Sequence, residues 1–168
     1  MYKLIFDSDA LIKLIKAKSP REIFKNFEAF IANEVYDECV TEGKKAFFED
    51  AFAIESLVEE GLIKKIKIKK DPKIQRALKD ENFGKGEVGS LYLYRNIKAD
   101  AICSDDERFL NFLDDNQINF IMPADLVVRL KEIKVISKEK TSRILDGLKP
   151  FIKESAYLKL KNQIGDKR

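Results

Sequence analysis

Short apolar runs typical of buried strands alternate with helical patterns along this 168-residue chain, and this order restricts the fold more than any other feature. The strand-like runs are YKLIF, EAFIAN, LIKKIKIKK, DAICS and INFIM. Segments with apolar residues at helical spacing separate them. Such an order predicts an α/β fold, in which a parallel sheet is covered by helices on both faces.

Several local patterns give specific predictions. The segment KKAFFEDAFAIESLVEEG predicts the clearest amphipathic helix, which ends at Gly61. Its inward-facing residues are predicted to be Phe47, Ala51, Ile54, Leu57 and Val58. In LIKKIKIKK, apolar and basic residues alternate as in an exposed or edge strand. Ser19-Pro20 predicts a break between two helices, and Ser137 is expected to cap a later helix.

The length fits one domain, and the helices of residues 126–168 are expected to form an extension packed on the domain of residues 1–125. Cys39 and Cys103 lie in apolar surroundings and are predicted to be buried thiols in a reducing compartment. No run reaches about 18 apolar residues, which argues against a membrane span. The start MYKLIFDSD does not resemble a signal peptide, so we expect a cytoplasmic protein.

Acidic residues recur where a parallel sheet would place a functional site. They lie after apolar runs or at helix starts, in four groups: Asp7 with Asp9; Glu34, Asp37 and Glu38; Glu87; and Asp105 with Asp106. Ligands of open α/β sheets bind at the carboxyl ends of the strands, so these four segments are predicted to surround one point.

The chain contains no histidine, which excludes an imidazole base and a histidine-bound zinc ion. Clustered carboxylates repel one another, and a divalent cation relieves that repulsion. Oxygen ligands favour hard cations, here Mg²⁺ or Mn²⁺, which can activate water in phosphoryl displacement. Each acidic group can instead be ordinary charge in the first turn of a helix, and Glu34 or Asp37 can take the place of Glu38.

In combination, the four segments resemble the PIN-domain ribonuclease family, in its archaeal and bacterial members with a helical C-terminal extension. The matching segments, over roughly residues 1–125, are LIFDSDALIKL, EVYDECV, GEVGSLYLYR and ADAICSDDERF. The resemblance implies a three-layer α/β/α sandwich with a central, mainly parallel sheet of 4–5 strands. It also implies metal-dependent cleavage of RNA.

The resemblance assigns roles to particular residues. Asp7, Glu38 and Glu87 would be catalytic metal ligands, together with Asp105 or Asp106, between which the motif does not choose. Asp9 and Ser104 would orient these ligands without binding the metal themselves.

Basic residues near these segments are candidates for contact with an RNA substrate. The candidates are Lys64, Lys65, Lys67, Lys85 and Arg108. Lysines on an edge strand also prevent aggregation without binding anything. Lys159, Lys161, Lys167 and Arg168 make the C-terminal end basic. Expected protein partners are a small antitoxin and a second copy of the chain.

Several functions remain open from the sequence. A metal-dependent endoribonuclease can be the toxin of a toxin–antitoxin pair or an RNA-processing enzyme. A catalytically silent PIN-like interaction module is an alternative. A haloacid-dehalogenase-type phosphatase is another, because FDSDA places a DxD at a strand end, although Ala10 stands where that family usually has threonine.

Overall fold

The computed structural model describes residues 1–18, 20–78 and 81–165. Ser19, Lys167 and Arg168, which entered the predictions above, lie outside these ranges, as does the end of the predicted extension. The strands are β1 (Lys3–Phe6), β2 (Glu28–Ala32), β3 (Ile63–Ile66), β4 (Ala101–Cys103) and β5 (Phe120–Ile121).

Helices connect the strands and extend the chain beyond β5. They are α1 (Ser8–Lys16), α2 (Pro20–Asn26), α3 (Asn33–Tyr36), α4 (Gly43–Lys45), α5 (Glu49–Glu59), α6 (Pro72–Ala77), α7 (Lys85–Ile97), α8 (Glu107–Asp115), α9 (Pro123–Glu132), α10 (Lys138–Leu148) and α11 (Glu154–Gly165). A π-helical segment, Asp37–Glu42, joins α3 to α4, and a 3₁₀ turn, Lys149–Phe151, follows α10.

The strands form one parallel sheet in the order β3-β2-β1-β4-β5. Consecutive residues of β1, Ile5 and Phe6, are both fully buried, because helices cover both faces. The predicted three-layer α/β/α sandwich is therefore confirmed. From β1 the chain winds outward to β2 and β3 on one side and to β4 and β5 on the other. The carboxyl ends of β1 and β4 thus flank the crevice where ligands bind in such sheets.

Most local predictions are confirmed, with one clear error. β3 is an edge strand, and the Ser137 hydroxyl accepts a hydrogen bond from the Lys140 N–H at the start of α10. The prediction that Phe47 faces inward is wrong, since the side chain is 85 % exposed. The helix ends before it, and Phe47 takes a left-handed conformation with φ 59° that turns the chain toward α5. The apolar residues keep helical spacing across both helices, so the sequence pattern does not show the break between them.

Both cysteines are buried free thiols. Burial raises the pKa of Cys39 to about 12 and that of Cys103 well above the usual value. None of the helices within the described ranges has the length and apolar character needed to cross a bilayer.

Candidate metal centre

Asp7 lies at the carboxyl end of β1 and opens α1. Its Oδ1 accepts a hydrogen bond from the Ala10 N–H at 2.8 Å, the geometry of a helix N-cap. The residue is only 3 % exposed. Burial raises the pKa of Asp7 to about 7, and the negative charges of Asp105 and Asp9 contribute to the rise. Asp7 is therefore a buried carboxyl group whose negative charge is poorly compensated.

Ser104 connects Asp7 to the end of β4. Its side chain is fully buried and forms a hydrogen bond with the Asp7 carboxylate, which opposes part of the pKa rise. The Ser104 hydroxyl also accepts a hydrogen bond from the Asp106 N–H at 3.4 Å. The serine thus fixes the position of Asp7 relative to the loop that carries the next acidic pair.

Glu38 reaches the same region from the π-helical segment. The Ser8 hydroxyl donates a 2.7 Å hydrogen bond to Glu38 Oε2, so two chain segments thirty residues apart are joined beside Asp7. A π-helical turn contains an extra residue and changes the direction of the side chains that follow it. Cys39 and Val40 of this segment are buried, whereas Glu38 is exposed at the site.

Glu87 lies in the first turn of α7. Its Oε2 accepts a 2.6 Å hydrogen bond from the N–H of the N-cap residue Gly84, which satisfies one backbone donor at the start of the helix. Burial raises the pKa of Glu87, and the charges of Asp106 and Glu38 add to the rise while Arg108 opposes it. Glu87, Asp106 and Glu38 line the same cavity.

Gly86 allows α7 to approach the other two segments. A Cβ atom at this position would lie 2.9 Å from Glu38 Oε2 and 3.0 Å from Ser8 Oγ. Any larger residue would therefore collide with the Ser8–Glu38 hydrogen bond. The absence of a side chain at Gly86 leaves room for both oxygens.

Asp105 and Asp106 have different environments. Asp106 caps α8, where its Oδ1 accepts from the Phe109 N–H at 2.8 Å, and its side chain borders the same cavity as Asp7. Asp105 is turned away from that cavity. Both of its carboxylate oxygens lie 2.8 Å from Lys13 Nζ, and its side chain is 12 % exposed.

The acidic residues of the four segments enclose one cavity of about 220 Å³. Its lining consists of Asp7, Ser8, Asp9, Glu38, Gly84, Gly86, Glu87 and Asp106. In the described part of the chain, none of these carboxylates forms an ion pair with lysine or arginine except Asp9, which lies 3.9 Å from Lys13.

The donor set fits a hard divalent cation, because it contains carboxylate and hydroxyl oxygens and no thiol or imidazole. Among the described residues, no three acidic or thiol groups already converge with metal-binding geometry. Free carboxylates are expected to stay apart by repulsion until a cation draws them together. The uncompensated charge on Asp7 is the kind that a cation would relieve.

Sequence reasoning missed three residues that shape this site. Ser8 orients Glu38, Gly86 makes room for that contact, and Lys13 holds Asp105. Ser8 stands between two predicted site residues, and Gly86 directly precedes a third. Lys13 carried no such signal, because a lysine in an amphipathic helix is ordinarily a solvated charge.

The predicted RNA-contact residues are scattered. Lys64 pairs with Glu28 at 3.1 Å, and Lys65 lies over the Tyr36 ring at 3.8 Å. Arg108 pairs with Glu81 at 3.0 Å. Lys67 and Lys85 are exposed and form no ion pair with the residues described, and Lys85 adjoins the cavity-lining Gly86 in sequence.

We expect Lys13→Met to destabilise the protein by about 1–3 kcal/mol, because it leaves the Asp105 carboxylate partly buried without its cation. Urea unfolding at pH 8 measures the change. Adding Asp105→Asn to this variant should restore most of the lost stability. Lys45→Met is the control, since the Lys45–Glu42 pair is exposed and contributes little. Equal stability of Lys13→Met and the wild type would contradict the assignment.

The chain is an α/β protein with a parallel sheet, and an acidic cavity suited to a divalent cation lies at the central switch point of that sheet. A family model described as a PIN domain matches residues 3–163, so the chain belongs to the PIN-domain family. The match reaches into α11, beyond the residues 1–125 that carry the motifs. A comparison with curated protein sequences gives no match.

PIN domains are generally nucleases that use divalent metal ions, and membership therefore indicates a nuclease-type function for this protein. The family assignment gives no support to the dehalogenase-type phosphatase alternative.

Proposed function

We propose that the protein is a metal-dependent endoribonuclease that hydrolyses phosphodiester bonds of RNA. The observation that carries the proposal is the cavity at the carboxyl ends of β1 and β4, which is lined by carboxylates from four distant segments. The proposed ligands of Mg²⁺ or Mn²⁺ are Asp7, Glu38, Glu87 and Asp106. Asp105 is not among the proposed ligands, because its carboxylate is paired with Lys13.

The remaining residues would hold these ligands in place. Ser8 orients Glu38, and Ser104 together with the Ala10 N–H orients Asp7. The Gly84 N–H fixes one oxygen of Glu87 and leaves the other for binding. A bound divalent ion would supply hydroxide at neutral pH and stabilise charge on the phosphate. Without histidine, protons released in the reaction would pass to carboxylates or to solvent.

Cleavage of RNA is the direct test. A purified sample should cut single-stranded RNA internally with Mg²⁺ or Mn²⁺, and EDTA should stop the reaction. A catalytically silent interaction module would cut nothing under either condition. DNA of the same sequence, assayed in parallel, tests the assignment to RNA.

Metal binding is expected to stabilise the fold independently of any cleavage. A ligand that binds only the native state at about 100 times its Kd adds about 2.7 kcal/mol to the unfolding free energy. For a chain of this size we expect a rise in Tm of roughly 5–10 °C in millimolar Mn²⁺. Thermal unfolding with and without the ion measures it, with Asp7→Asn as the control. An unchanged Tm would argue against the site.

The biological role is proposed as either the toxin of a toxin–antitoxin pair, held by a small antitoxin protein, or an RNA-processing enzyme of the cytoplasm. Co-purification with a small protein that suppresses cleavage would favour the toxin. Association as a homodimer is also proposed. Sedimentation analysis of the purified chain tests it.

A further inference from the structure

A second cavity of about 620 Å³ lies beside the proposed metal centre. We call it the α8–α11 groove, because α8, β5, the start of α9, the 3₁₀ turn and α11 supply its lining. Lys13 and Asp105 line the groove, while the next residue, Asp106, lines the metal cavity. Adjacent Cα atoms are about 3.8 Å apart. The two cavities are therefore neighbours on either side of the loop that follows β4.

Apolar and aromatic groups dominate the groove. Phe120 of β5 is 37 % exposed, and Met122 beside it is also exposed although both are large apolar residues. Phe151 of the 3₁₀ turn faces the same space. Exposed aromatic side chains next to an active site suit the stacking of unpaired bases. The volume lies in the range usual for small-molecule sites.

Three lysines and four acidic residues line the groove, and Asp114 is the acidic residue without a lysine partner among those described. Lys13 binds Asp105, Lys153 lies 3.1 Å from Glu107, and Lys159 is close enough to oppose the burial-driven rise in the pKa of Asp125. A groove without an excess of positive charge does not attract the phosphates of a polyanion strongly. The favoured ligand is instead the base, which combines an apolar face with a polar edge.

Polar side chains that can read a base edge accompany the aromatic groups. Asn111 of α8 and Gln163 of α11 are exposed amides that line the groove. Amides recognise both donors and acceptors on base edges. Bases present these edges and their faces together only when they are unpaired.

We propose that the α8–α11 groove is the subsite for unpaired bases next to the scissile phosphate of single-stranded RNA, with Phe120 as its stacking residue. The proposal rests on the nuclease function above. It implies that the groove rather than the metal centre determines which bases flank the cut.

Binding of short fluorescent homopolymers of A, C and U tests the proposal, with Asp7→Asn as a non-cleaving background. Adding Phe120→Leu keeps an apolar side chain but removes the aromatic face. We expect about tenfold weaker binding, since loss of one stacked base costs this much or more. The factor should be the same at low and high salt, because stacking releases no counterions. Adding Gln163→Ala should change the ratio of affinities among the three homopolymers.

Phe47→Leu is the matched control, because Phe47 is an exposed aromatic residue that lines neither cavity. It should bind RNA like the background protein, and all variants should have the same Tm. Unchanged binding by both groove variants, or equal weakening by Phe47→Leu, would overturn the proposal. So would a dimer in sedimentation that Phe120→Leu dissociates, because the groove would then hold a second copy of the chain.

Failure of the subsite is distinguishable from failure of the nuclease. If only the subsite is wrong, the wild type cleaves RNA with metal and Phe120→Leu cleaves with the same rate and positions. If the nuclease proposal is wrong, the wild type does not cleave in the first place.

Discussion

Asp7→Asn is expected to lower RNA cleavage more than about 100-fold, because loss of a direct ligand should cost more than loss of a residue that supports one. The same change is expected to make the metal-free protein more stable at pH 8. Asparagine still accepts the Ala10 N–H as an N-cap, but it carries no buried charge. The variant therefore tests the function of the site while the fold stays intact.

The stability gain should depend on pH in a defined direction. The pKa of Asp7 is raised from 3.8 to about 7 in the folded protein, so between these values the native state holds a proton that the unfolded chain releases. The stability contributed by this group is complete below pH 4 and is lost as pH rises through 7. The rise in the pKa of Asp7 on folding corresponds to a loss of on the order of 4 kcal/mol in the free energy of unfolding between low and high pH. The advantage of Asp7→Asn should thus increase from pH 5 to pH 8.

Urea unfolding at the two pH values, with and without Mn²⁺, measures these effects. Asp9→Asn is the control, because the Asp9 side chain is 72 % exposed and its removal should change stability little. In saturating Mn²⁺ the advantage of Asp7→Asn should shrink, since the wild type gains stability by binding the ion and Asp7→Asn does not. A variant that cleaves like the wild type, or that is less stable at pH 8 without metal, would refute the role of Asp7.

Gly86→Ala is expected to lower metal affinity and cleavage about 10–100-fold while leaving stability nearly unchanged. The new Cβ would lie within 3.0 Å of Glu38 Oε2 and Ser8 Oγ, so the glutamate must swing away. Such loss of an orienting contact usually has an effect of this size. The fold loses little, because the end of a flexible side chain moves and alanine favours the helix by up to about 1 kcal/mol.

Gly89→Ala is the matched control, one helical turn further along α7. Its Cβ would lie 3.0 Å from the Ala32 Cβ and 3.2 Å from Glu34 Oε2, contacts that crowd the core rather than the cavity. We expect lower stability and unchanged Mn²⁺ affinity. Calorimetric titration and thermal unfolding of both variants distinguish the two outcomes. If Gly86→Ala bound Mn²⁺ like the wild type, Gly86 would have no part in the site.

The alternation of strands and helices predicted the fold because a parallel sheet buried on both faces leaves apolar runs such as that of β1. The same logic predicted the position of Asp7 and of the acidic pair after β4, since both directly follow buried strands. Glu87 was predictable from its place at a helix start next to glycines.

Other features depend on contacts that the sequence does not record. Asp105 and Asp106 are neighbours with the same chemistry, and only the position of Lys13, ninety-two residues from Asp105, distinguishes them. The choice among Glu34, Asp37 and Glu38 depends on the π-helical turn, which departs from the 3.6-residue period used to assign helix faces. Phe47 was misplaced because two helices in succession imitate a single one.

The two enclosed thiols make the protein convenient for spectroscopic labelling. Maleimides react with accessible thiolates, and both cysteines are shielded and protonated at neutral pH. A cysteine introduced at Gln163 or at Lys85 should therefore take up a fluorophore alone, without prior removal of native residues. Probes at these two positions would follow an oligonucleotide along the groove and at the mouth of the acidic cavity separately.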